Sequence, residues 1–260
     1  VRLVTNRSYN AAFIVFNTQK APFSDARVRQ AFSYALDKKG ILDSVYGGLG
    51  TDSRSPAPPA LWTYGADAFK AAYEALDPYA LDLDKAKQLV QDAGAAGTKA
   101  QLMVSTPLDQ QVGLAVQDAG KAIGIDVELK QIAYADKTGI EYADGPKDYE
   151  MDLLTWGSDF PDPIGNLYFP FNSANVVTNV AAYKNADVDR YLEEARSATD
   201  DGARAKALTE AQAIVVRDQP WVVYAAPDMV MPLNTRLTGY VPTGLYYWTA
   251  WAAQLSGTGG

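Results

Sequence analysis

Apolar residues recur at helical spacing in several stretches of the chain. Val28, Ala31, Phe32, Ala35 and Leu36 fall at i, i+3, i+4, i+7 and i+8, with Ser24 or Asp25 placed to cap the first turn and Gly40 to end the helix. A second stretch starts near Asp84, turns Ala86, Leu89, Val90 and Ala93 inward, and stops at Gly94. A third aligns Val112, Ala115, Val116, Ala119 and Ile123 ahead of Gly124. Two more helices are predicted around Val188–Ala195 and Leu208–Val215. Period-two alternation marks strands in between. Ile125, Val127 and Leu129 interleave with Asp126, Glu128 and Lys130, and 99–105, 149–156 and 221–225 are also strand-like.

Strands alternating with helices predict an α/β layered lobe. Residues 50–65, rich in Pro, Gly and Ser, form an irregular loop. From about Asn234 the periodicity gives way to Gly, Pro and aromatics. The expected division is therefore a lobe over 1–234 and a tail over 235–260 that runs onto another body. The chain begins without Met inside what looks like a strand approach, Val1 to Asn17, as expected of a polypeptide whose N-terminal part has been left off.

Composition narrows the chemistry. The 260 residues are 48% hydrophobic, enough for a sizeable core, and no run approaches the roughly 20 apolar residues of a membrane span. A net charge of −8 without any basic cluster argues against nucleic acid and anionic membrane surfaces. The chain has no His and no Cys, which removes Ser–His–Asp and Cys–His catalysis, zinc sites built on those ligands, haem ligation by His, and iron–sulfur clusters. No metal and no cofactor is expected. Carboxylate, hydroxyl, amine and backbone chemistry remain.

Residues 13–38, FIVFNTQKAPFSDARVRQAFSYALDK, resemble a signature of the family 5 extracellular solute-binding proteins, the oligopeptide/dipeptide type that serves ABC importers. The matching positions are Asn17, Pro22, Asp25, Arg27, Val28, Arg29, Ala31, Tyr34, Ala35 and Asp37. DLDKAKQLVQDAG, GIDVELKQI, WGSDFPDP and the late helix pair leading to WVVYA follow in the order that family requires. The resemblance implies a periplasmic-binding-protein-like lobe of the class II type, with a mixed sheet flanked by helices. It also implies a tail packing on an absent N-terminal lobe, and solute capture by closure of two lobes for delivery to membrane permease subunits. An extracellular or periplasmic location, with a lipid anchor in the full-length form, goes with it. A sensing protein using the same cleft, or an oligosaccharide binder, are the alternatives.

The candidate ligand-binding residues are Trp156, Gly157, Ser158, Asp159, Phe160 and Asp162. A strand that ends in Gly-Ser offers unpaired backbone groups with which an extended peptide pairs as an added strand. Asp159 is then placed to meet a ligand ammonium, as the resemblance implies. The bland reading is that Asp159 and Asp162 cap the turn before Pro163, and this fits Asp162 better. Arg27 and Arg29, near a helix start, read as structural ties. Tyr46, Trp62, Tyr64, Tyr246, Tyr247 and Trp248 are further candidates for the cleft, although an aromatic at any one site more often fills a core. The stretch before Trp156 carries no basic residue to receive a ligand carboxylate. As a glycosidase pair Asp159 and Asp162 would need a separation of about 5–5.5 or 6.5–9.5 Å, which three residues across a Pro turn do not fix.

Overall fold

A computed structural model describes residues 1–244 and 248–257. Its strands are β1 (Arg2–Asn6), β2 (Asn10–Phe16), β3 (Gly50–Thr51), β4 (Lys99–Val104), β5 (Asp126–Gln131), β6 (Met151–Gly157), β7 (Trp221–Pro227), β8 (Met229–Leu233), β9 (Leu237–Thr238) and β10 (Ser256–Gly257). Its helices are α1 (Ala26–Ala35), α2 (Lys38–Val45), α3 (Ala66–Ala75), α4 (Leu83–Asp92), α5 (Pro107–Ile123), α6 (Tyr134–Glu141), α7 (Ile164–Phe171), α8 (Ala186–Ser197) and α9 (Asp201–Asp218).

Six strands form one mixed sheet in the order β3-β7-β2-β6-β4-β5. β2 is antiparallel to both β6 and β7, whereas β4 runs parallel to β5 and β6. β2 shows why the lobe has three layers. Ala12, Ile14 and Phe16 enter one core with Val28, Phe32, Val90, Val116 and Ile123 of α1, α4 and α5. The alternate residues Ala11, Phe13 and Val15 enter a second core with Leu167, Phe171, Leu192, Leu208 and Val215 of α7, α8 and α9. A strand buried on both faces is apolar at every position, and β2 is, after its first residue.

α5 approaches the sheet through glycine. A Cβ on Gly120 would lie 2.8 Å from the Ile125 carbonyl oxygen and 2.7 Å from a Val127 methyl. α5 is held at one end by a Thr106/Asp109 capping box and at the other by Gly124 at φ 86°.

The first predicted helix is two helices. α1 ends at Leu36, and Asp37 starts α2 by accepting the Gly40 N–H at 2.8 Å. Gly40 therefore opens a helix rather than closing one: a side chain there would collide with the capping carboxylate, 2.3 Å from its Cβ position. Arg29, 4% exposed, donates to the carbonyls of Phe23, Asp218 and Gln219, tying α1 to the end of α9. Arg27 bonds the Asp25 carboxylate and the Asp92 carbonyl, joining α1 to α4.

Beyond the sheet, β1 and β8 pair as an antiparallel ribbon that continues from β2 and β7. Leu3 on this ribbon is 63% exposed. Past Asn234, β9 and β10 pair with each other and Tyr240 meets Trp251 edge-on, so the last described residues also fold back on themselves.

Candidate functional site

The parallel strands β4, β5 and β6 all end at the same margin of the sheet, and in open α/β sheets ligands gather outside such carboxyl ends. β6 carries the site because only one of its flanks is paired throughout. On one side β2 accompanies it from Met151 to Gly157. On the other, β4 pairs with Met151 and Asp152 alone. The Asn17 N–H donates to the Glu150 carbonyl on the β2 side, while the Leu153 carbonyl accepts from Lys137 on the opposite side. Alternation along the strand then turns the backbone groups of Thr155 and Gly157 away from β2. Among the described residues no strand pairs with them there.

β4 and β6 splay apart after Asp152, and the side chain of Lys137 from α6 enters the wedge. Its Nζ lies 2.7 Å from the Leu153 carbonyl, 2.5 Å from Glu141 Oε1 and 2.9 Å from Asp152 Oδ1. All three side chains are buried, Asp152 completely. Burial pushes the Asp152 carboxyl well above the usual carboxylate range, and the neighbouring Glu141 adds to this while Lys137 opposes it. Asp152 Oδ2 has no partner among the described residues. Lys137 is also shifted: burial works against its charge, but Asp152 and Glu141 together hold it above the ordinary lysine value.

The strand end leads into a cavity of about 330 Å³ lined by Ser8, Asn10, Gly157, Ser158, Asp159, Asp228 and Trp248, among others. Gly157 lets Asn10 lie close against the strand end: a Cβ would fall 1.7 Å from Asn10 Oδ1, so the amide would have to turn away, and 3.2 Å from the Asn10 Cα. Ser158 is buried, and its Oγ accepts the Phe160 N–H at 3.3 Å. Asp159 is exposed, and its Oδ1 accepts the Trp248 indole N–H at 3.1 Å. Asp228 is paired with Arg7 at 2.9 Å. Among the described residues the cavity wall thus holds two carboxylates and no lysine or arginine.

The other expected site residues fall around this opening. Trp156 is half-buried, donates its indole N–H to the Gly165 carbonyl at 3.1 Å and meets Trp221 edge-on. Phe160 is 41% exposed beside the turn. Asp162 is engaged within the protein instead. It accepts from the Ile164 N–H and the Tyr64 hydroxyl, both at 2.9 Å, and its second oxygen is 2.7 Å from Arg204. With both oxygens engaged, it fixes the turn into α7.

Of the aromatics, Tyr46 contacts the Tyr224 hydroxyl, Trp62 stacks on Phe69, and Tyr64 joins the Asp162 tie. Trp248 alone of the described ones reaches the cavity; Tyr246 and Tyr247 lie outside the described residues. Sequence reasoning missed Ser8, Asn10 and Asp228, which carry no local pattern and are brought in by β1, β2 and the β7–β8 junction.

A mixed sheet flanked by helices on both faces is the α/β architecture of the periplasmic binding proteins. The chain belongs to the bacterial extracellular solute-binding proteins, family 5, whose "Middle" region it matches over residues 2–177. It is 31% identical to the Heme-binding protein A of Haemophilus influenzae over 99% of its own length and 46% of that protein's. It is 28% identical to a probable D,D-dipeptide-binding periplasmic protein of Escherichia coli, covering 90% of this chain and 44% of that one. The fold superposes on a periplasmic binding protein, DppA, of Helicobacter pylori in complex with the peptide STSA. The TM-score is 0.80 at 26% identity, over 98% of this chain and 49% of that one. The chain spans about half the length of the relatives it matches. Members of this family are extracellular or periplasmic binding proteins rather than enzymes. Among the described residues no group of ligating side chains is placed to hold a metal ion, and no helix is long and apolar enough to cross a membrane.

Proposed function

We propose that this lobe forms one wall of a closing cleft that captures a small, amine-bearing, peptide-like solute for an ABC-type importer. The observation that carries the reading is the unpaired flank of β6 at Thr155 and Gly157, which runs directly into the cavity at Asp159. An extended ligand running antiparallel to β6 adds a strand there, and its backbone supplies affinity that tolerates different side chains. Its ammonium meets Asp159, displacing the Trp248 indole N–H or sharing the carboxylate with it. Gly157, Ser158 and the ring of Trp156 shape the floor, Phe160 borders the mouth, and Asp162 positions the turn from behind.

In the complete protein a second, N-terminal lobe closes over this surface, and the closed form is what permease subunits in the membrane recognise. We place the protein outside the cytoplasmic membrane, held there by a lipid anchor, without cofactor and without catalytic turnover. The relatives' dipeptide and peptide ligands support the amine-bearing class. The absence of a cation from the cavity lining favours a ligand whose other end is neutral, or whose carboxylate is received elsewhere.

Native mass spectrometry of the complete protein, purified without added ligand, tests the reading. A co-purifying peptide or other small amine, lost on Asp159→Ala, is the expected result. A tightly held ligand lacking any amine, retained in that variant, overturns it.

A further inference from the structure

We infer that Lys137 acts as a length stop, closing the ligand's strand lane at Leu153 so that it admits about three ligand residues. The inference rests on the strand-addition reading above and deepens it. The backbone groups of β6 that face away from β2 belong to Met151, Leu153, Thr155 and Gly157. β4 takes Met151, and the Lys137 ammonium takes the Leu153 carbonyl at 2.7 Å. The Leu153 N–H is engaged too, donating to Asp152 Oδ1 at 2.8 Å. Only Thr155 and Gly157 remain for a ligand.

In antiparallel pairing, ligand residues two apart face strand residues two apart. A first residue opposite Gly157, with its ammonium toward Asp159, places the third opposite Thr155. The fifth would have to face Leu153, where Lys137 already stands. The stop is firm because Lys137 is 4% exposed and bound to Glu141 and Asp152, so a ligand backbone would have to break a buried ion cluster to go further. The cluster ties α6 to β6 on the line the added strand would follow. Lys137 is a positioning residue here: it touches the strand rather than the ligand's recognised end.

Calorimetry on the complete protein, with C-terminally amidated tri-alanine and penta-alanine as probes, tests the stop, since amidation removes the carboxylate as a variable. The tripeptide is expected to bind about tenfold or more tighter than the pentapeptide. Hydrogen exchange should slow at the Thr155 and Gly157 amides when the tripeptide is present. Making the cluster apolar while shortening the side chain that fills the lane (K137A with E141L and D152L) opens the space beside the Leu153 carbonyl and should narrow the preference. A merely structural cluster would leave the ratio unchanged. Equal affinities in the parent protein, with Thr155 and Gly157 still protected, overturn the length stop and leave strand addition standing. An unchanged ratio in the folded triple variant overturns the role of Lys137. If neither peptide binds or protects those amides, strand addition fails and the length stop falls with it. Should the triple variant not fold, the two-peptide comparison in the parent decides.

Discussion

Replacing Lys137 with methionine keeps most of the buried aliphatic stem and removes only the charge. Three consequences then compete. Glu141 and Asp152 lose the cation that faces both of them, with their side chains 4% and 0% exposed. Leaving a buried charge without its partner costs about 3–5 kcal/mol. The Leu153 carbonyl also loses its donor, about 1–3 kcal/mol when considered alone, although the same ammonium serves all three acceptors and the terms do not add. The third consequence is relief by protonation. Asp152 already stands well above the usual carboxylate range because of burial, and removing Lys137, which opposes that shift, lets its carboxyl rise further.

The folded variant therefore binds more protons than the unfolded chain above the ordinary carboxylate value, so its stability falls as pH rises through that window. Lys137 in the parent is raised as well, but over a far more alkaline window. It is held above the ordinary lysine value, so its contribution is present below that value and is lost only at strongly alkaline pH. The variant is thus expected to lose about 3–5 kcal/mol near pH 8 and distinctly less near pH 5. Urea unfolding of the complete protein, followed by tryptophan fluorescence at both pH values, measures this. A loss below about 1 kcal/mol near pH 8, or the same loss at both pH values, refutes the argument.

Three further outcomes are expected. Asp159→Ala should weaken an amine-bearing ligand by about 2–5 kcal/mol in calorimetry, and an unchanged affinity would remove Asp159 from the site. Trp248→Phe removes the indole donor from Asp159 but keeps an aromatic wall. If the ligand ammonium displaces that donor, calorimetric affinity should hold or improve, whereas a tenfold loss would show that Trp248 contacts ligand directly. Gly120→Ala should destabilise the lobe by about 1–3 kcal/mol in thermal or urea unfolding despite alanine's better helix propensity, because its methyl meets the Ile125 carbonyl; a more stable variant would show that α5 yields there.

The elements legible in the sequence are those with one clear apolar stripe. α4, α5, α8 and α9 lie where the spacing predicts them, as do β4 to β7. α6 escaped because the residues it turns inward include Lys137 and Glu141, so charges stand where the period requires apolar side chains. α3 buries Phe69 alone, too little for a pattern. The break between α1 and α2 was hidden because Gly40 looks like a terminator, and only the Asp37 cap shows that it is an initiator. At the candidate site, the motif around Trp156 marks the end of β6. It gave no means of separating Asp159 from Asp162, a difference that depends on Arg204 and Tyr64 arriving from distant segments.

The β1–β8 ribbon meets the sheet at a place that matters mechanically. Ser8 Oγ donates to the Pro227 carbonyl at 2.7 Å, and Arg7 grips Asp228 one residue further along. Ser8, Pro227 and Asp228 are also cavity wall. The ribbon and the pocket thus share these residues, so a displacement of one would be a displacement of the other.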